Sequence, residues 1–364
     1  MLIILHVFVF LLGIGVVVTT LYSAIASFVL PRSAPTEITR VVFVGLRRIF
    51  ETAMRFARSY HTRDRIMAFY APVGLLLLVP TWLALVLLGY TAMFWAAGAP
   101  DWYTAFQVSG SSLLTLGFAT PKGFGLSVLV FTEATIGLIL IALLIAYLPT
   151  MYAAFSRREV AVTLLEVRAG TPPSAMEMLE RFYRIGYLDR LSEQWETWET
   201  WFAEIEESHT SLSALVFFRS PRPELSWVTA AGAVLDTASL TLAAVDIPPD
   251  PAAALCIRAG FLALRRISDF FSINYNSDPH YPADPITVTR EEFEAALDRL
   301  EKYGLPIKSD REQAWVDFAG WRVNYDRTLI ALARLTMAPE SPWTGDRNGK
   351  LTLPTMFFRN KKGS

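Results

Sequence analysis

The stretch GAPDWYTAFQVSGSSLLTLGFATPKGFG, residues 98–125, lies between two long apolar runs, and its reading decides the architecture of the N-terminal part of this chain. Pro100-Asp101-Trp102 is a turn and helix-start signal, and residues of helical character follow from Asp101 to Leu114. Thr115-Leu116-Gly117-Phe118-Ala119-Thr120-Pro121 then breaks the pattern, because a helix passes glycine and proline only at a cost. The expectation is a short helix that dips between its neighbours and returns as extended chain. At membrane depth such non-helical backbone persists only where it is buried in protein or lines a water-filled cavity.

The flanking runs reach from about Ala71 to Ala97 and from about Leu126 to Phe155, the second closed by Arg157-Arg158. Each is long enough to cross a bilayer, and Pro80 is tolerated in a membrane helix. Met1 to Leu30 carries no charged side chain, taking His6 as neutral, and forms a third such run. No basic group precedes its apolar core, so an uncleaved helix fits better than a signal peptide. Of nine basic residues before Arg157, eight fall between Arg32 and Arg65, against five acidic residues over the same N-terminal part. The positive-inside rule makes that arginine-rich segment cytoplasmic and places Met1 outside. Within it Val42, Leu46, Ile49, Ala53 and Phe56, widened by Phe43, Phe50 and Met54, form a helical stripe: either an amphipathic helix on the inner membrane surface or a solvated linker. The expected organisation is a spanning helix over 1–30, a basic linker over 31–66, a helix–loop–helix module over 67–156 and a helical cytoplasmic domain over 157–364.

The chain as a whole has 33 basic and 34 acidic residues, 53% hydrophobic residues and one cysteine, Cys256. Disordered and nucleic-acid-coating classes are excluded, as are a disulfide within the chain and a cysteine-cluster metal site. Near-neutral net charge is the sum of an apolar, basic front and a charged remainder.

The order helix, short helix, Thr115-Leu116-Gly117-Phe118, helix resembles the pore module of tetrameric potassium channels, whose filter pattern is Thr-Val-Gly-Tyr-Gly-Asp. The resemblance covers about Ala71 to Arg158. It implies an all-α membrane protein with three transmembrane helices and one re-entrant pore loop, assembled as a homotetramer because each chain supplies one loop. It implies further that Thr115, Leu116, Gly117, Phe118 and Ala119 form an ion-binding filter for K+ or another monovalent cation, with no other cofactor. Such a filter replaces an ion's hydration shell with backbone carbonyls, which needs alternating backbone conformations. The pore helix would aim its negative dipole end, near Ser112 to Leu114, at the cation. Three positions depart from the pattern. Ala119 stands for the second glycine and would be strained by about 1–2 kcal/mol if that position needs positive φ. Thr120 replaces the aspartate, and Leu114 stands where a hydroxyl residue is common. These departures leave open a less selective cation pathway, an easily collapsed filter, or a non-conducting membrane-anchored sensor that retains the fold.

In the third apolar run Gly137 is either a hinge or a close-packing site, Pro149 offers a kink, and Tyr147, Met151 and Phe155 are candidates for a hydrophobic gate. Glu133, the one acidic residue there, is either a partner for the short helix or solvated at the outer boundary. Beyond Arg157 helices are expected over Ser174–Gly186, Leu188–Glu207, Glu224–Val245, Pro251–Phe271, Arg290–Tyr303 and Asp310–Thr336, with no Gly-x-Gly-x-x-Gly turn. Trp195, Trp198, Phe202 and Ile205 read as a buried face. The acidic residues around them read as a solvated face rather than a calcium site, and Arg265-Arg266 as ion-paired with Asp269. The scattered histidines suggest no catalytic set, and Asp278 and Asp284 beside His280 fit a polar turn better than a metal site. The partners expected are the lipid bilayer of an inner membrane, monovalent cations and other copies of the chain, and no nucleic acid.

Overall fold

A computed structural model describes residues 2–30, 36–57 and 59–347. Arg32 and Arg58 of the basic segment lie outside the described residues, as does the C-terminal tail with Arg359 to Lys362. The described residues are helical, with no strand beyond an isolated bridge between Val245 and Ile307. Four helical stretches among them are long and apolar enough to cross a membrane: Leu2–Phe28, Tyr60–Ala96, Phe124–Ala169 and Trp227–Ala244.

The chain divides into two units. The first comprises residues 1–56 and 69–153, the second residues 57–68 and 154–364. The first contains α1 (Leu2–Phe28), α2 (Glu37–Met54), α4 (Tyr70–Ala96), α5 (Trp102–Leu113) and the N-terminal part of α6 (Phe124–Ala169); α3 (Tyr60–Ala68) belongs to the second.

Small residues let α1 and α4 meet backbone to backbone. A Cβ added at Gly13 would lie 2.6 Å from the Gly89 carbonyl, and one at Gly89 would lie 2.8 Å from Val17. Close approach of this kind is how apolar helices associate where burying apolar surface gives no drive. Hydroxyls then pin α1 to its neighbours: Trp82 Nε1 donates to Ser23 Oγ at 3.2 Å, and Ser23 and Thr36 Oγ1 are 2.6 Å apart. Helix α2 presents Phe43, Leu46, Arg47 and Met54 inward, while Ile49 and Phe56 of the expected apolar stripe are exposed. The buried side is therefore rotated from the stripe read in sequence, because Phe43 fills the space above Gly74 and its carbonyl accepts from Tyr70 Oη at 3.2 Å.

The second unit holds α7 (Ala175–Arg184), α8 (Leu191–Ser211), α9 (Trp227–Ala244), α10 (Pro251–Phe270), α11 (Arg290–Tyr303), α12 (Arg311–Arg322) and α13 (Asp326–Thr336). Helix α9 is buried within it, 94% of its apolar window being covered. Trp195, Trp198, Phe202 and Ile205 of α8 form a buried face, and a Cβ at Gly260 of α10 would lie 3.0 Å from the Phe202 ring. Arg265 and Arg266 do not pair with Asp269. Arg266 bonds Glu206 of α8 at 2.5 Å, and Arg265 donates to the carbonyls of Asn324 and Ser277. Nor is the helix expected over Asp310–Thr336 continuous: it breaks at Val323–Tyr325. There Arg322 is drawn into a buried cluster with Asp236 and Asp326, and Tyr325 Oη donates to Asp236 at 2.8 Å. No glycine or proline marks that break, because tertiary ion pairing causes it. Helix α3 joins this unit, rather than a linker, through the Arg219–Asp64 pair at 2.7 Å.

Candidate functional site

The site is the α5 hairpin and its return to α6. Asp101 caps α5, accepting the Thr104 N–H at 2.8 Å, so the helix starts where the Pro-Asp-Trp signal places it. Its residues Ala105, Val108, Ser109, Ser111, Ser112 and Leu113 are buried, and α4 is its principal neighbour.

Serines carry the site's internal order. Ser109 Oγ lies 2.5 Å from Glu133 Oε1 on α6 and 3.1 Å from the Leu87 carbonyl on α4. Ser112 Oγ donates to the Val130 carbonyl at 2.6 Å. Glu133 is fully buried, and its second carboxylate oxygen lacks a hydrogen-bond partner among the described residues. The solvated position considered for Glu133 is thus not the one it takes; it faces α5.

Beyond α5 the chain turns through alternating backbone hands. Thr115 has φ +55° and Gly117 φ +72°, while Leu116, Phe118 and Ala119 keep negative φ. The strain expected at Ala119 is absent, and it falls on Thr115, a β-branched residue in the left-handed region. Four of the segment's five amide hydrogens, those of Thr115, Leu116, Gly117 and Ala119, turn back onto α5. Thr115 N donates to the Ser112 carbonyl at 3.0 Å, Leu116 N and Gly117 N to the Ser111 carbonyl at 2.8 and 3.3 Å, and Ala119 N to Ser111 Oγ at 3.0 Å. The carbonyls of Thr115, Leu116, Gly117 and Phe118 accept no hydrogen bond from the described residues. Leu116 and Phe118 are exposed. A segment with four of its five amide donors held and four consecutive carbonyls uncommitted is chemically suited to a ligand that accepts electron density, a cation above all.

Sequence reasoning missed Ser111, which organises the turn through both its carbonyl and its hydroxyl. The signal available was the hydroxyl-rich run Ser109-Gly110-Ser111-Ser112 at the end of a helix with an apolar setting.

The residues considered for gating all lie on α6 and differ in their surroundings. A Cβ at Gly137 would collide with the Leu113 carbonyl at the end of α5, so this glycine admits close packing of α6 on the hairpin. Helix α6 runs unbroken through both Gly137 and Pro149. Tyr147 and Met151 are buried within their own chain, Tyr147 stacking on Phe28 of α1 at 4.3 Å. Phe155 belongs to the second unit, 5.9 Å from the Phe218 ring. Among the many apolar residues that α6 leaves exposed, Ile141, Ile145, Leu148 and Tyr152 follow one another at helical spacing.

Among the described residues no group of three or more His, Cys, Asp and Glu side chains gathers as a metal site. Asp284 is engaged by its own loop, accepting from Asn276 Nδ2 and the His280 N–H at 3.0 Å each, contacts that hold its carboxyl below the usual range. Compared with known proteins, the chain matches no family model, no curated protein and no solved structure.

Proposed function

We propose that the protein is a homotetrameric cation channel in which four copies of the segment Thr115–Ala119 surround an axial pathway for K+ or another monovalent cation. In this reading α1, α4 and the N-terminal part of α6 cross an inner membrane, the α5 hairpin is its re-entrant loop, and α9 stays in the second unit. The N-terminus lies outside, the arginine-rich segment and second unit lie in the cytoplasm, and that unit gates the pore.

One observation carries the proposal: the amide hydrogens of Thr115, Leu116, Gly117 and Ala119 are all held by Ser111 and Ser112 while the carbonyls of Thr115 to Phe118 remain uncommitted. Left-handed φ alternating with right-handed φ favours carbonyls pointing to one side, the arrangement a dehydrated cation needs. The gate fits the exposed stripe ending in Leu148 and Tyr152 better than Tyr147 and Met151, which are covered by their own chain.

Purified protein in liposomes tests this through potassium and sodium flux. Passive flux that falls with Thr115→Val, which removes the hydroxyl and keeps the shape, is the expected outcome. The absence of flux for both ions across voltage, pH and calcium would sink the channel reading and favour a sensor that keeps the fold. Ala119→Gly with Thr120→Asp is expected to raise the preference for potassium.

A further inference from the structure

The second unit contains a cavity of about 580 Å³ between the segment 271–287 and helix α13. That volume lies within the range of small-ligand sites, about 300–1,000 Å³. Hydrogen bonds tie the elements around it. Arg265 links the segment 271–287 to the turn before α13, donating to the carbonyls of Ser277 and Asn324 at 2.9–3.2 Å. Thr287 and Asp326, both in its lining, are joined as well, the Thr287 N–H and hydroxyl donating to Asp326 at 3.0 and 2.7 Å.

The charges lining the cavity are not equally occupied. Both carboxylates are already engaged: Asp326 by Arg322 and Thr287, and Asp284 by Asn276 and the His280 N–H. Among the described residues Arg327 makes no ion pair or hydrogen bond, its charge acting on Asp284 from a distance, and Arg334 donates to no group other than the Arg347 carbonyl, at 3.2 Å. The two arginines stand seven residues apart on α13, about 10 Å along the helix, with the small Ala331 between them. Ile273, Val323 and Ile330 add an apolar lining.

We propose that this cavity binds a small organic oxyanion, a phosphate or carboxylate on an apolar or aromatic body, with Arg327 and Arg334 holding the charged group. Guanidinium forks match both oxyanions geometrically, and the apolar lining distinguishes an organic anion from an inorganic one. The site stands on the second unit alone and does not depend on whether the protein conducts.

Calorimetric titration of the full-length protein in detergent provides the test, with phenyl phosphate, phenylacetate, inorganic phosphate and benzyl alcohol as probes. At least one aromatic oxyanion is expected to bind saturably and about tenfold more tightly than inorganic phosphate or the neutral alcohol, and the better of the two acids identifies the oxyanion. The double substitution Arg327→Ala and Arg334→Ala is expected to weaken that binding at least about tenfold. Ala331→Leu, which fills the cavity and keeps both charges, should weaken it as well, and unchanged melting temperatures would show that both variants fold. The proposal is overturned if neither aromatic acid binds at millimolar concentration. It is equally overturned if the double variant binds as well as the parent, or if Ala331→Leu leaves the affinity intact, since attraction would then reside in diffuse surface charge.

Discussion

Two buried carboxylate sites, one in each unit, are held in opposite ways. In the second unit Asp236 and Asp326 share one guanidinium, that of Arg322, which is fully buried and also donates to the Trp343 carbonyl at 2.6 Å. Tyr325 and Thr287 complete the set of donors. In the first unit Glu133 meets no cation: Ser109 donates to one of its oxygens, the Ser112 hydroxyl stands nearby, and the second oxygen makes no hydrogen bond with the described residues. The first arrangement is a clamp that fixes where α12 ends and α13 begins. The second is a group held by hydroxyls of α5, the helix that leads into the segment whose carbonyls are uncommitted. The saturated charge fixes the break between two helices, whereas a buried oxygen left without a partner calls for a different explanation.

The largest effect is expected from breaking the clamp. Arg322→Met strands two buried carboxylates and should destabilise the second unit by about 3–5 kcal/mol, read as a lowered midpoint in chemical denaturation. If the loss is below about 1 kcal/mol, the contrast with Glu133 disappears.

In the first unit, Gly137→Val forces a side chain into the Leu113 carbonyl and should destabilise the α5–α6 contact by about 1–3 kcal/mol or separate the helices. Loss of flux together with a lower melting temperature is the expected pair of readouts. A hinge role alone would change flux and leave the melting temperature where it was.

The pH dependence sharpens the comparison from the side of the second unit. His209 is fully buried, with Nε2 3.2 Å from Arg158 Nη1 and Nδ1 3.1 Å from Ser208 Oγ. Burial, and then the Arg158 charge, hold its pKa well below the usual histidine value. The unfolded chain takes up a proton near pH 6.5 that the folded chain refuses. Stability is therefore complete above that pH and falls below it by up to about 1.4 kcal/mol per pH unit, until the folded pKa is reached. His209→Gln should remove that slope, as denaturation between pH 5 and 7 would reveal.

A smaller effect separates the two roles of Glu133. Glu133→Gln keeps an acceptor for Ser109 and should change stability by less than about 1 kcal/mol, whereas Ser109→Ala removes the carboxylate's one short hydrogen bond and should cost about 1–3 kcal/mol. Smallest of all is Thr115→Gly. Relief of about 1–2 kcal/mol of left-handed strain is offset by the greater freedom of glycine in the unfolded chain, so melting should move little while ion preference changes.

Much of the fold was legible because it rests on local pattern. The apolar runs at 1–30, 71–97 and 126–155 appear as α1, α4 and the front of α6; the Asp101 cap and the Gly117 break appear where side-chain chemistry requires them. The α8 stripe of Trp195, Trp198, Phe202 and Ile205 is buried as its period demands. Other features lack a local signal. Nothing within Asp310–Thr336 announces a break, since its cause, Asp236, lies on another helix. Ser111 looks like one serine among several until the amide hydrogens of Leu116, Gly117 and Ala119 arrive from further along the chain.

By itself the sequence determined the helical class, the apolar runs and the one irregular hairpin, because hydropathy, helix capping and the behaviour of glycine and proline act over a few neighbouring residues. Only the tertiary structure decided which groups in that hairpin are satisfied. It put the left-handed strain on Thr115 instead of Ala119, turned Tyr147 and Met151 inward, and buried Glu133 against Ser109. The physical reason is that hydrogen bonding and desolvation are settled by whatever a residue meets across space, and that partner is many residues away along the chain.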